Sequence, residues 1–343
     1  MNQRVLVASN RGPISYQFGA DGSLTGRRGS GGMIAGVTDG LAALGAGTGV
    51  TWICAALSDA DRAVARRDGG TRAEGFGVGI PVRMLDIPPE VLGRAYNDVA
   101  NSALWFLLHQ LFDTPNQPQF GAGFRRDWES YVAYNEMFAG ALAREAGAPG
   151  AGASEAHGDL RILVQDYHLC LVPRLLRERL DGAARQAAVG YFCHTPWAPP
   201  DYYRMLPADI ARALLDGILG ADRAGFHAGR WAAAFMDCCA DLLGAEIEQA
   251  HTERGGAALA AAGRVSGPAG WVTYRGHVTE VAVHPLGVDA PALRERARAE
   301  DVQAHCVVLR RAAGDRKLIV RVDRTELSKN IVRGLAAYRE LLA

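Results

Sequence analysis

Residues Leu160–Trp197 read LRILVQDYHLCLVPRLLRERLDGAARQAAVGYFCHTPW. Leu160–Val164 is a short apolar run suited to a buried strand, Leu169–Leu180 has helical apolar spacing, and Ala188–Cys193 is a second buried run. Strand, helix and strand at this spacing form a crossover unit, because parallel neighbours are joined through a helix that covers the sheet. The alternation extends in both directions. Strands are predicted at Val5–Ala8, Thr51–Leu57, Val82–Ile87 and Arg223–Phe226. Helices are predicted at Met33–Leu44, Asp59–Arg67 behind the N-cap Ser58, Pro88–Leu111, Asp127–Ala146, Ala208–Leu219 and Arg230–Leu243. The fold class is therefore α/β, a parallel sheet with helices on both faces.

Three stretches interrupt the pattern: the Pro- and Gln-rich Thr114–Phe120, the Ala/Gly/Ser segment Gly147–Gly158 and the soft insert Ala257–Gly270. Beyond them, Trp271–Val283 reads as a hairpin turning at Arg275-Gly276-His277, and His284–Asp289 as a connector. A helix over Pro291–Arg311, a mostly apolar strand Leu318–Val322 and a helix Lys329–Leu342 follow. A strand this rich in Leu, Ile and Val needs partners on both edges and cover on its faces. One strand and one helix thus read as the start of a second domain that the chain begins and does not complete.

The chain has 343 residues, 49% hydrophobic and 22% charged. That is the composition of a globular protein, and the length suits two domains. Lys plus Arg and Asp plus Glu number 37 each, so no basic surplus favours nucleic acid or anionic lipid. The six cysteines form no C-x-x-C pair, which argues against a zinc knuckle or a disulfide framework. No apolar run approaches a membrane span or a signal peptide, so a cytoplasmic location is expected. A homo-oligomer is left open.

Four places carry candidate chemistry. Ser9-Asn10-Arg11 and Gly29-Ser30-Gly31-Gly32 follow the first strand, and the second opens a helix whose free N–H groups suit a phosphate or sugar. The plain alternative is a surface turn with one exposed arginine. Gln165-Asp166-Tyr167-His168-Leu169 sits where a strand hands over to a helix, and Asp166 either caps that helix or binds sugar hydroxyls. His194-Thr195-Pro196-Trp197-Ala198-Pro199-Pro200 is a rigid loop. An exposed His194 and Trp197 would suit a sugar pocket, and a packed corner is the alternative. Arg324-Thr325-Glu326-Leu327-Ser328-Lys329 puts two cations at a strand-to-helix junction, a diphosphate clamp or a solvated turn. Tyr96 and Trp105 lie nine apart, or about 2.5 turns of an ordinary helix, which does not place them on one face. Core packing is the simple reading of Trp105.

In order, SNR, the GG loop, YNxxxNxxLW, DYHL, HTPW and RTELSK resemble the trehalose-6-phosphate synthases, from about Val5 to the last residue. The resemblance implies two Rossmann-like domains facing across a cleft, with residues 1–285 the acceptor-binding domain and 286–343 the start of the nucleotide-sugar domain. It implies retaining glucosyl transfer from a nucleoside-diphosphate glucose to glucose 6-phosphate, with no metal or other cofactor. By it, Arg11 and Tyr96 hold the acceptor phosphate and Trp105 lines the acceptor pocket, while Gly32, Asp166 and His194 surround the transferred glucose. Arg324 and Lys329 neutralise the leaving diphosphate. With its donor domain only begun, the chain itself is expected to be inactive. Two positions depart from the family pattern: Ala55 stands where a second tryptophan is usual, and Gln165 where a histidine is usual. The competing readings are a pseudo-glycosyltransferase that couples a nucleotide-cyclitol to an aminocyclitol phosphate, and a non-catalytic sugar-phosphate-binding fragment.

Overall fold

The structure is a computed structural model that describes residues 4–29, 31–43, 49–67, 80–114, 116–147, 160–180, 187–250 and 266–343. The Gly147–Gly158 segment after its first residue and most of Ala257–Gly270 fall outside the described residues, as does Ser30. The chain divides into two compact units, Met1–Pro285 and Leu286–Ala343.

The first unit starts with strand β1, Arg4–Ser9, a hairpin of β2, Ile14–Phe18, and β3, Leu24–Arg28, then helix α1, Gly32–Ala43. Next come β4, Gly49–Ala55, α2, Asp59–Arg67, and β5, Val82–Leu85. A helical run then begins with α3, Pro89–Gly93, is wound as a π-helix over Arg94–Leu104, and ends with α4, Trp105–His109. The long α5, Ala122–Gly147, leads to β6, Leu160–Gln165, a short 3₁₀ turn at Tyr167–Leu169, and α6, Val172–Leu180. The rest is β7, Ala187–Cys193, α7, Pro200–Tyr203, α8, Ala208–Ile218, β8, Arg223–Phe226, α9, Gly229–Cys238, β9, Glu246–Gln249, β10, Gly267–Tyr274, and β11, His277–Val283.

Nine strands form one sheet in the order β5-β4-β1-β6-β7-β8-β11-β10-β9. The strands from β5 to β11 in that order pair in parallel, whereas β10 pairs antiparallel with both β11 and β9. Counted along the chain, the first six parallel strands lie in the order 3-2-1-4-5-6, the doubly wound arrangement whose direction reverses between β1 and β6. Ligands of such sheets bind off the carboxyl ends of the strands at that reversal.

The pleat sorts the side chains into two cores. Leu6 and Ala8 of β1 join Ile53 and Ala55 of β4 in one, with Phe138, Leu142, Leu176, Leu214 and Phe235 from the helices on that face. Val5, Val7, Trp52 and Cys54 point the other way, to Leu41 of α1, Ala65 of α2 and Met84 of β5. Each fully buried aliphatic side chain contributes roughly 1.5–3 kcal/mol, and a one-residue slip of β1 would exchange the two sets. Ser58 caps α2: its Oγ accepts from Asp61 N at 3.0 Å, and Asp61 Oδ2 accepts from Ser58 N at 3.1 Å, a reciprocal arrangement that satisfies two donors at the helix start. The hairpin turn puts Arg275 at φ 50° and Gly276 at φ 74°. A tight two-residue turn requires such a left-handed pair.

The β2–β3 hairpin, the one-turn helix α7 that starts at Pro200 of the expected rigid loop, and the edge strand β9 lie outside the sequence expectations. The π winding also changes the geometry expected for Tyr96 and Trp105. A π-helix takes more residues per turn than an α-helix, so a separation of nine is no longer a half-integral number of turns.

The second unit holds α10, Ala290–Arg298, α11, Glu300–Ala313, a 3₁₀ turn at Leu327–Lys329, and α12, Ile331–Leu342. Asp289 caps α10 by accepting from Ala292 N at 2.9 Å, which satisfies a donor with no partner inside the helix. The single helix expected over Pro291–Arg311 is broken at Ala299, whose backbone is extended. The strand expected at Leu318–Val322 does not form. A strand exists only through a ladder to a neighbour, and no described residue of this unit pairs with the segment. Its side chains are exposed, Val322 to 90%.

Candidate active site

The loops after β1 and β6 meet at the reversal of strand order. After β1, Ser9 Oγ accepts from Trp52 Nε1 at 2.7 Å and donates to the carbonyl of Arg11 at 2.6 Å. Buried Asn10 accepts from the Tyr134 hydroxyl at 2.6 Å. These bonds fix the loop backbone and leave the Arg11 side chain exposed, its guanidinium donating to the Tyr96 hydroxyl at 2.9 Å. Tyr96 comes from the π-wound segment and stacks on His168, with ring centroids 5.6 Å apart, and His168 in turn lies 4.1 Å from Tyr167. The Tyr167 hydroxyl returns to that segment through Asn101, at 2.9 Å.

Gly29 N donates to Pro13 O at 2.6 Å, which draws the loop before α1 back onto the loop after β1. A Cβ at Gly29 would sit 2.7 Å from Gly12 O and 2.8 Å from Ile34 Cδ1, so the approach needs glycine. Gly32 is the first residue of α1 and is exposed.

Asp166 has φ 73° and ψ 169°. That backbone region is essentially reserved for glycine and costs on the order of 1–3 kcal/mol. Its N–H donates to Phe192 O at 2.7 Å and its Oδ1 accepts from His194 N at 3.1 Å, so β7 holds the strained residue in place. The carboxylate makes no side-chain N-cap hydrogen bond on the following turn. Burial pushes its pKa up to about 6, against the backbone N–H groups of Tyr167 and His194, which favour the anion. His168 is lowered to about 3 by burial and then by the Arg11 guanidinium. His194 is lowered to about 3 by burial and then by His227. Both imidazoles are neutral at pH 7.

These shifts set a pH dependence. Unfolded histidines titrate near 6.5, so below about that pH the unfolded chain takes up protons that native His168 and His194 refuse, and stability falls as pH drops toward about 3. Asp166 acts oppositely: native and protonated below about 6, it titrates near 3.9 when unfolded, so it adds stability as pH drops between those values. Among these three groups, two against one leaves a net loss on the order of 1.4 kcal/mol per pH unit between about pH 6 and 4, and His227 and His284, also lowered by burial, act in the same sense. Asp166→Asn cannot titrate and should lose stability more steeply over the same interval. Urea midpoints at pH 7, 6 and 5 check this, and equal slopes for the two proteins would contradict the assignment.

The structure brings Arg11 together with Tyr96, and Asp166 together with His194. Trp105 opens α4, half-buried against His109 at 4.3 Å and Phe106 at 5.1 Å. Trp197 is not the exposed sugar platform that the HTPW loop allowed. It is 3% exposed. It packs on Tyr203 at 5.4 Å, Phe226 at 5.9 Å and Phe235 at 5.1 Å, because the proline-fixed loop turns it into the core. In the second unit, Arg324 and Lys329 share one partner, with Glu326 oxygens at 3.1 and 3.3 Å. Sequence reasoning assigns no role to Gln165, His168, His227 or the Ser9–Trp52 pair; their polarity within or beside apolar runs is the available signal. Among the described residues, no group of three or more His, Cys, Asp or Glu side chains is placed to hold a metal, and no helix is long and apolar enough to cross a membrane.

Known proteins resemble this chain over nearly its whole length. An α,α-trehalose-phosphate synthase (UDP-forming) 1 of Aspergillus fumigatus is 30% identical over 340 residues, 99% of this chain and 57% of that protein. Among solved structures, an E. coli chain bound with UDP-2-fluoro glucose superposes with a TM-score of 0.70 at 22% identity, over 99% of this chain and 61% of that one. A Burkholderia xenovorans α,α-trehalose-phosphate synthase in complex with glucose-6-phosphate gives 0.67 at 22%, over 99% and 62%. At that identity the structures establish the fold alone, an α/β fold of the GT-B type. The chain spans about three-fifths of the length of the relatives it matches. The model of glycosyltransferase family 20 matches residues 3–343, and the chain belongs to that family.

Proposed function

We propose that the protein transfers glucose, with retention, from a nucleoside-diphosphate glucose to glucose 6-phosphate, giving α,α-trehalose 6-phosphate and the nucleoside diphosphate. The observation that carries this is the Arg11–Tyr96 pair, a guanidinium presented at the reversal of strand order, on the sheet edge that also carries the strained Asp166 loop. A planar cation with a phenol beside it suits a phosphate monoester, which takes charge-assisted hydrogen bonds from both. Relatives described as acting on, or solved with, these compounds support the reading.

In this mechanism Arg11 and Tyr96 anchor the acceptor phosphate, and Trp105 lines the acceptor side. Gly32, at the start of α1, offers a backbone N–H to the donor side, and Asp166 and His194 receive sugar hydroxyls. Arg324 and Lys329 neutralise the departing diphosphate. Glu326 pairs with both, and the more highly charged diphosphate competes for the same cations. Charge grows on the leaving oxygen as the glycosidic C–O bond breaks, so fixed cations stabilise the transition state more than the ground state. The leaving phosphate oxygen takes the proton of the acceptor hydroxyl as the new bond forms on the same face of the sugar. The test is product formation from an NDP-glucose and glucose 6-phosphate by the protein at the length of its relatives, with the linkage read from anomeric proton couplings.

A further inference from the structure

Gln165 closes β6 and is only 5% exposed, although a primary amide needs hydrogen-bond partners wherever it is buried. Its Oε1 lies 2.9 Å from Nε2 of His194, which follows the neighbouring strand β7. A carbonyl oxygen only accepts, so the shared hydrogen is on Nε2, and a neutral imidazole in that tautomer carries its lone pair on Nδ1. The rest of His194 is held as well. Its backbone N–H is given to Asp166, and its ring packs against Phe192 at 4.7 Å and His227 at 5.3 Å, which also touch each other.

The geometry points to Gln165 as a positioning residue that locks His194 in the neutral Nε2–H form and makes its Nδ1 a fixed acceptor for a substrate hydroxyl. On the reading proposed above, and resting on it, that hydroxyl belongs to the transferred glucose. An imidazole free to exchange tautomers would meet the hydroxyl with a donor part of the time; the amide removes that alternative.

The groups around the ring favour the neutral form. The Asp166 carboxylate is engaged by backbone N–H groups rather than by the imidazole. His227, after β8, lies against the ring and disfavours a second positive charge beside it. His284, after β11, is held below the ordinary histidine range by burial first, with Arg223 lowering it further and Glu280 opposing, and its carbonyl lies 3.3 Å from His227 Nδ1.

The lock is tested by nitrogen NMR of histidine-labelled protein, which distinguishes a protonated from an unprotonated ring nitrogen without any turnover. From pH 5 to 8, His194 of the 343-residue chain should show Nε2 protonated and Nδ1 unprotonated throughout. Gln165→Glu puts a carboxylate in place of the amide oxygen, favours the imidazolium, and should bring a His194 titration into that window. Gln165→Leu, which removes the acceptor at similar volume, should let the Nδ1–H tautomer appear. A protonated Nδ1 in the unaltered protein, or His194 signals unmoved in Gln165→Glu, would overturn the proposal. The first of these needs no variant, so poor folding of a substituted protein leaves the test standing. Absence of glucosyl transfer would count against the functional reading and not against the lock, whereas the wrong tautomer overturns the lock whatever the enzyme turns over.

Discussion

Arg11→Ala should raise the KM for glucose 6-phosphate at least about tenfold, the equivalent of ~1.4 kcal/mol, with the full effect in the ~2–5 kcal/mol range of a lost charge partner. The guanidinium is already aimed by two features that the substitution leaves in place. The Ser9–Trp52 pair fixes the backbone carbonyl of Arg11, and Tyr96, held by its stack on His168, takes the other end of the side chain. Little ordering is then needed when a phosphate arrives, which is why its removal costs more than a typical surface charge. Unphosphorylated glucose gains nothing from this cation, so its use should change little. Steady-state kinetics with both acceptors decides the point: a shift smaller than about tenfold for glucose 6-phosphate, or equal shifts for both, would show that Arg11 is not the phosphate ligand.

Trp197→Ala should destabilise the fold by ~3–5 kcal/mol, the usual cost of deleting a buried indole. It empties the space between three aromatic rings drawn from α7, β8 and α9. The indole stacks on Tyr203 with an interplanar angle of 22° and meets Phe226 and Phe235 edge-on. Such arrangements add to simple burial. Trp197→Phe keeps part of the packing and should lose less. Urea unfolding measures the loss. Unchanged stability with weakened sugar binding would return Trp197 to the pocket and contradict the core placement.

The contrast between these two residues shows where sequence reading succeeds. The parallel sheet is legible because β1, β6 and β7 are compact apolar runs, each handed on to a turn that carries polar residues, and helices between the runs imply parallel neighbours. Arg11, Asp166 and His194 can be nominated because each stands close after such a run. Trp197 cannot be placed, since no periodicity operates in a loop of prolines and its neighbours come from three separate elements. The strain at Asp166 is equally hidden: the conformation favours glycine, the residue is aspartate, and the bonds to Phe192, His194 and Leu169 that hold it there come from residues the local sequence does not mark. The β2–β3 hairpin does leave a signal, in the alternation of Ile14, Tyr16 and Phe18 before Asp21-Gly22, but the glycines around it read more readily as a loop. Leu318–Val322 fails in the other direction. Its composition suits a buried strand, yet a strand is a property of a pair, and its own unit supplies no partner among the described residues.

Retaining glucosyl transfer is tested most directly by the linkage made when the protein, at the length of its relatives, is given an NDP-glucose and glucose 6-phosphate. The expected product is a disaccharide phosphate whose two anomeric protons both show the small couplings of α-configured glucose, formed in step with release of the nucleoside diphosphate. A β-linked product, or no disaccharide phosphate from any NDP-glucose tried, would contradict it.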